Sequence, residues 1–169
     1  MPSSARPITE LLPAIVLLAR HEIDFVLIGG AAGVVHGSSY PTYDVDVAYQ
    51  VEPNNLERLA TALRSVDARL WGAPADVPFI LDANSLAAGA NFTFVTTLGS
   101  IDILAHPDGS PPYEQLKARA RAIRIEGLPV LVASLDDLIR MKEAAGRPKD
   151  LLMASEYRVL ADELNRSTP

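Results

Sequence analysis

Four apolar residues, Phe25–Ile28, stop at Gly29-Gly30, and a small apolar stretch follows over 31–36. A short apolar run bounded by glycines reads as a buried strand, because neither of its faces is suited to water. The small residues after it suit a helix packed tightly on that strand. The fold must therefore contain a strand–turn–helix corner. Glycines at such a corner let the backbone turn sharply and approach a ligand. The free N–H groups of a following helix suit phosphate. The same Gly-Gly also serves packing alone, so the corner constrains the fold more than the chemistry.

A second strand is predicted over 43–51, where apolar and polar residues alternate. Asp44 and Asp46 then share one face, with Val45 and Val47 on the other. Paired carboxylates are costly on a buried face that holds nothing else. A solvent-facing sheet edge removes the difficulty, and so does a bound divalent cation. Hard oxygen ligands of this kind suit Mg²⁺. Asp102 stands among Ile101, Ile103 and Leu104, an acid inside an apolar strand. If its strand lies beside the first acidic one, three carboxylates converge. Two metal ions ~3.5–4 Å apart can then clamp the attacking and leaving oxygens of a displacement at phosphorus.

The remaining pattern is mixed. Helical spacing marks Ile8–Arg20, and Pro53 opens a helix to about residue 66. Strands are expected over 92–97 and 101–104, joined at 98–100, and shorter ones over 124–125 and 130–132. A helix is expected over 112–120. Ser134 caps another, with Asp137 at the capping-box position, that ends near Gly146. Pro148 starts a last helix to about residue 164. Residues 71–90 resist assignment. This order lacks the regular alternation of a doubly wound sheet and predicts an α+β fold, a small mixed β-sheet flanked by helices. With 169 residues, one domain spanning 1–169 with a helical C-terminal part (about 134–165) is expected.

Cysteine is absent, which excludes disulfide scaffolds, thiolate metal sites and cysteine nucleophiles. The longest apolar run, 14–19, is far short of the ~20 residues of a membrane span, and the N-terminus does not read as a signal peptide. A cytoplasmic protein is expected. The net charge of −6 argues against a generic nucleic-acid coat. Between Lys117 and Lys149, however, eight basic residues accompany four acidic ones, which marks either an anion-binding face or a solvated helix surface. Lys117, Arg119, Arg121 and Arg124 are candidates for phosphate contacts.

The series Gly29-Gly30, a spacer of 13 residues, Asp44-Val45-Asp46 and a lone strand aspartate at Asp102 resembles the nucleotidyltransferase fold of the DNA polymerase β superfamily. The run from Phe25 (FVLIGGAAGVVHGSSYPTYDVDVAYQ) is similar to a small bacterial branch that includes AbiEii-type toxins and minimal nucleotidyltransferases. Residues 140–151, with Lys142, a short turn and Lys149-Asp150, resemble that branch's later motif. The likeness spans about 25–155. It implies that Gly29 and Gly30 hold the triphosphate of a nucleotide such as ATP, with Thr42 beside them. It implies that Asp44, Asp46 and Asp102 ligate two Mg²⁺ ions, with Mn²⁺ as an alternative. Asp102 would also act as general base, Lys142 would neutralise phosphate charge, and Asp150 would orient its neighbours through Lys142. The implied reaction moves a nucleoside monophosphate to a hydroxyl on a tRNA end or a partner protein, in the manner of the toxin of a toxin–antitoxin pair. The alternative is a non-catalytic nucleotide-binding or antitoxin-like module on the same fold. One departure stands out: Tyr40 occupies the position where that branch carries an arginine, two residues before Thr42.

Overall fold

A computed structural model describes residues 7–89 and 91–168. The chain runs α1 (Ile8–Arg20), β1 (Phe25–Ile28), α2 (Gly29–Val35), β2 (Val45–Tyr49), α3 (Pro53–Ser65), β3 (Arg69–Leu70) and α4 (Ala83–Ala88). It continues through β4 (Asn91–Thr96), β5 (Gly99–Leu104), α5 (Tyr113–Arg119), β6 (Arg121–Ile125), β7 (Leu128–Val132), α6 (Leu135–Ala145) and α7 (Pro148–Ser167). All seven strands join one mixed sheet in the order β3-β4-β5-β2-β1-β7-β6. The α+β architecture expected from the pattern is the one observed. Among the described residues no helix is long and apolar enough to cross a membrane.

The centre of the sheet follows from its side chains. Every residue of β1 is buried, as its uniform apolarity requires. It pairs antiparallel with β2, Ile28 opposite Asp46, and parallel with β7. On its other side β2 pairs parallel with β5, and Asp46 lies opposite Asp102. Asn55, fully buried at the start of α3, latches two of these connections. Its side chain accepts from the Asp24 amide and donates to the Asp24 and Gln50 carbonyls. That network leaves no buried amide group unpaired, which is the condition for keeping an Asn in a core.

The C-terminal part is a pair of helices packed at a corner. Ser134 Oγ accepts the Asp137 amide at 3.2 Å, the N-cap that its position predicts. Gly146 ends α6 in the left-handed conformation (φ 70°), and Pro148 then opens α7. The fully buried Asp137 receives two hydrogen bonds from Arg119, at 3.1 and 2.6 Å, and so ties α6 to the end of α5.

Three expectations need correction. The helix after Gly29-Gly30 begins at Gly29 itself, so the glycines form its first turn rather than a separate loop. β2 begins at Val45, which leaves Asp44 in the bend before it rather than on the strand. The segment 71–90 contains α4, whose N-cap Asp82 accepts the Ser85 amide at 2.8 Å; Ala90, like residues 1–6 and Pro169, lies outside the described residues.

Candidate active site

Asp46 and Asp102 are 56 positions apart in sequence and side by side in space. The parallel β2–β5 ladder sets them directly opposite each other. Strand neighbours in register share a face, so both carboxyls emerge together at the middle of the sheet. They lie close enough for a protonated Asp46 to donate to Asp102. Burial lifts the Asp46 carboxyl well above the ordinary carboxylate range, and the Asp102 bond and the charges of Asp102 and Asp44 lift it further. Lys142 opposes them from α6. The Oδ1 atom of Asp102 is buried without a hydrogen-bond partner.

Gly29 explains how so crowded a carboxylate fits. Its φ is +67°, a conformation that side chains rarely adopt, and a Cβ there would fall on the Asp46 carboxylate. At Gly30 a Cβ would come within 2.8 Å of Thr42 Oγ1. Thr42 is itself buried, and its hydroxyl donates to the Asp44 carbonyl at 3.4 Å. The glycine corner therefore seats the acidic segment against β1.

Two cavities meet at this point, and Asp46, Asp102 and Lys142 line both. One, of about 380 Å³, is bounded by Gly30, Thr42, Asp44, Arg147, Lys149 and Asp150. The other, of about 350 Å³, lies between α6 and the β4–β5 strands and takes Gly29 as part of its wall. Lys142 is 3.5 Å from Asp150, the pairing the motif implies, and Asp150 also holds Arg147 at the start of α7. The Arg147 hydrogen bond, with the nearby positive charges, keeps the Asp150 carboxyl below its ordinary range. Lys149 lies 5.0 Å above the Tyr43 ring.

The structure thus brings Gly29, Gly30, Thr42, Asp44, Asp46, Asp102, Lys142 and Asp150 around one cleft. It does not gather the three acids equally. Among the described residues no group of three or more carboxylate or imidazole side chains is arranged to hold a metal ion. Asp46 and Asp102 form a pair, and Asp44 acts on Asp46 from farther off. The donor chemistry of the pair, two hard carboxylates with one orphaned oxygen, fits a divalent cation. Tyr40 packs on the core and lines neither cavity, so it makes no substitute for an arginine. The cations missed by role in the sequence are Arg147 and Lys149; the local surplus of basic residues was their signal. Most of the rest of that surplus is engaged elsewhere: Lys117 pairs with Asp24, Arg119 and Arg140 with Asp137, and Arg124 with the Gly127 carbonyl, while Arg121 lines a separate cavity beside His36. His36 is structural as its position suggests, with Nε2 2.8 Å from the Ala133 carbonyl.

No family profile and no curated protein matches the sequence. The structure has neighbours. An antigenic nucleotidyltransferase-like protein from Paracoccidioides brasiliensis superposes with a TM-score of 0.55 at 17% identity, over 98% of this chain and 92% of that one. A lincomycin-bound lincosamide antibiotic adenylyltransferase, LnuA, gives 0.60 at 12% identity over 93% and 99%. The antibiotic-resistance factor ANT(2'')-Ia gives 0.57 at 14% over 93% and 83%. The chain has the fold of nucleotidyltransferases.

Proposed function

We propose that this protein is a metal-dependent nucleotidyltransferase that moves a nucleoside monophosphate from a nucleoside triphosphate to an acceptor hydroxyl. The observation that carries the proposal is the in-register pair Asp46–Asp102, with its orphaned oxygen, beside a glycine corner that no side chain can occupy. Lys142, Arg147 and Lys149 supply positive charge to the cavity suited to the triphosphate. Asp46 and Asp102, with Asp44 nearby, would hold Mg²⁺, which when bound neutralises charge on the phosphates and on the leaving group. The acceptor oxygen forms a bond to the α-phosphorus as the α–β bridging bond breaks. Pyrophosphate leaves with that electron pair, and Asp102 takes the hydroxyl proton. Positioning and electrostatics do the rest.

The test is transfer of α-labelled nucleotide with Mg²⁺ present. Asp46→Asn and Asp102→Asn are each expected to reduce it by about 10³-fold or more, the scale at which transition-state charge stabilisation is lost. Transfer that survives both changes removes the proposal. Among the described residues no three-acid metal cluster stands ready, which favours a second reading, a non-catalytic nucleotide-binding module. Triphosphate binding by calorimetry that is indifferent to Mg²⁺, with no transfer, would establish it. The resemblance to toxin-type enzymes directs the first acceptor trials to tRNA ends and protein hydroxyls.

A further inference from the structure

We infer that the acceptor is a small hydroxyl-bearing molecule with an apolar body and a neutral or cationic end, held in the cavity between α6 and the β4–β5 strands. The inference rests on the nucleotidyltransferase reading of the same site.

The two cavities share Asp46, Asp102 and Lys142 and otherwise differ in kind. The triphosphate side adds two cations, Arg147 and Lys149, together with Asp44 and Asp150. The other side adds Leu104, Leu138, Met141 and Ala145, with Asn91 and Thr93 as polar neighbours. Its one charged residue not shared with the triphosphate side is Asp108. Apolar walls with a few polar groups are the usual lining of a small-molecule site, and about 350 Å³ lies within the usual size.

Charge separates this occupant from a polynucleotide. An RNA end brings phosphates, and on this side they would meet Asp108 with no cation beyond the shared Lys142. The basic residues of α5 and β6 build no track toward it, since Lys117, Arg119 and Arg124 are committed to Asp24, Asp137 and a backbone carbonyl, and Arg121 lines a different cavity beside His36. A carboxylate on the wall instead suits a neutral or cationic group.

The cavity's end is also built by the sequence. Gly109 has φ +77°, and a Cβ there would lie 2.5 Å from the Arg140 carbonyl oxygen. The turn after Asp108 therefore lies directly on α6. Asp102, on the shared wall, faces whatever hydroxyl this cavity presents.

The experiment uses the full chain, Mg²⁺ and each of the four α-labelled nucleoside triphosphates. Three acceptor classes compete: aryl and cyclohexyl amino alcohols with their carboxylate analogues, total tRNA, and the protein itself. Label is expected on an amino alcohol and not on its carboxylate analogue. Met141→Trp and Ala145→Leu, the second at an exposed helix position that tolerates bulk, should each raise the acceptor KM by about 10-fold or more and leave the triphosphate KM within about 2-fold. Asp108→Asn should reduce the preference for a cationic over a neutral analogue by about 5-fold. Label on tRNA or on protein overturns the inference while leaving nucleotidyl transfer intact. So does a KM effect confined to the triphosphate, or a panel that neither binds the triphosphate-loaded protein by saturation-transfer NMR nor takes label. If Mg²⁺-dependent triphosphate binding is itself absent, the underlying reading of the site is what fails.

Discussion

The ionised Asp46 carboxyl opposes folding. Its folded pKa lies above the ordinary 3.8, so the penalty is absent at low pH and grows as pH rises through the folded value. At neutral pH, without metal, removing that charge should stabilise the protein. Asp46→Asn is therefore expected to raise Tm by a few degrees in EDTA while abolishing transfer. Mg²⁺ should raise Tm of the wild type and not of the variant. Scanning calorimetry on the two proteins, with and without Mg²⁺, checks both; a lower Tm for the variant in EDTA contradicts the reading. Gly29 makes the complementary case. Alanine there takes on a left-handed backbone, at about 1–2 kcal/mol, and displaces Asp46. A displacement of ~1 Å at the reacting groups is enough to lower kcat by about 10²-fold. Circular dichroism alongside steady-state kinetics separates that loss from unfolding.

Between elements, the C-terminal corner is held by buried carboxylates and tested through them. Arg119→Ala leaves the buried Asp137 with the Ser134 hydroxyl and the more distant Arg140 guanidinium, 4.0 Å away. The expected loss is about 2 kcal/mol, the value of a charge-assisted bond partly open to water, read from urea midpoints. Asp150 carries a pH signature. Its folded pKa is depressed by Arg147, so its contribution is present above the ordinary 3.8 and disappears as pH falls through the lower folded value. As pH falls below the ordinary 3.8, the wild-type urea midpoint should fall more than that of Asp150→Asn. Equal slopes would mean the pair contributes nothing. These elements were legible where a local rule wrote them: Ser134 and Gly146 bracket α6, and Pro148 opens α7. The stretch after Trp71 was not, because Trp71, Val77 and Ile80 remain exposed and follow neither a helical nor a strand period. Asp44 was misplaced for a related reason, since alternation reads through a bend as easily as through a strand.

At the scale of the molecule, the sequence pattern contained the acids and the class of sheet but not the strand order. That β7 returns to lie parallel beside β1 depends on contacts more than a hundred positions apart, and no local period encodes them. The pairing of Asp46 with Asp102 was conditional on adjacency that only the assembled sheet supplies. The charge surplus near the C-terminus was visible, but not that much of it is spent on internal partners. One outcome follows for the whole surface: tRNA should bind weakly, with a shallow log–log dependence on salt, since few phosphates can be neutralised together.

Because the two acids sit directly opposite each other on adjacent strands at the heart of the sheet, their geometry is created by the long-range β2–β5 pairing rather than by any local turn. A form of the chain without that pairing leaves the two carboxyls apart. Turnover and far-ultraviolet dichroism should therefore vanish over the same span of urea, like two readings of a single clock.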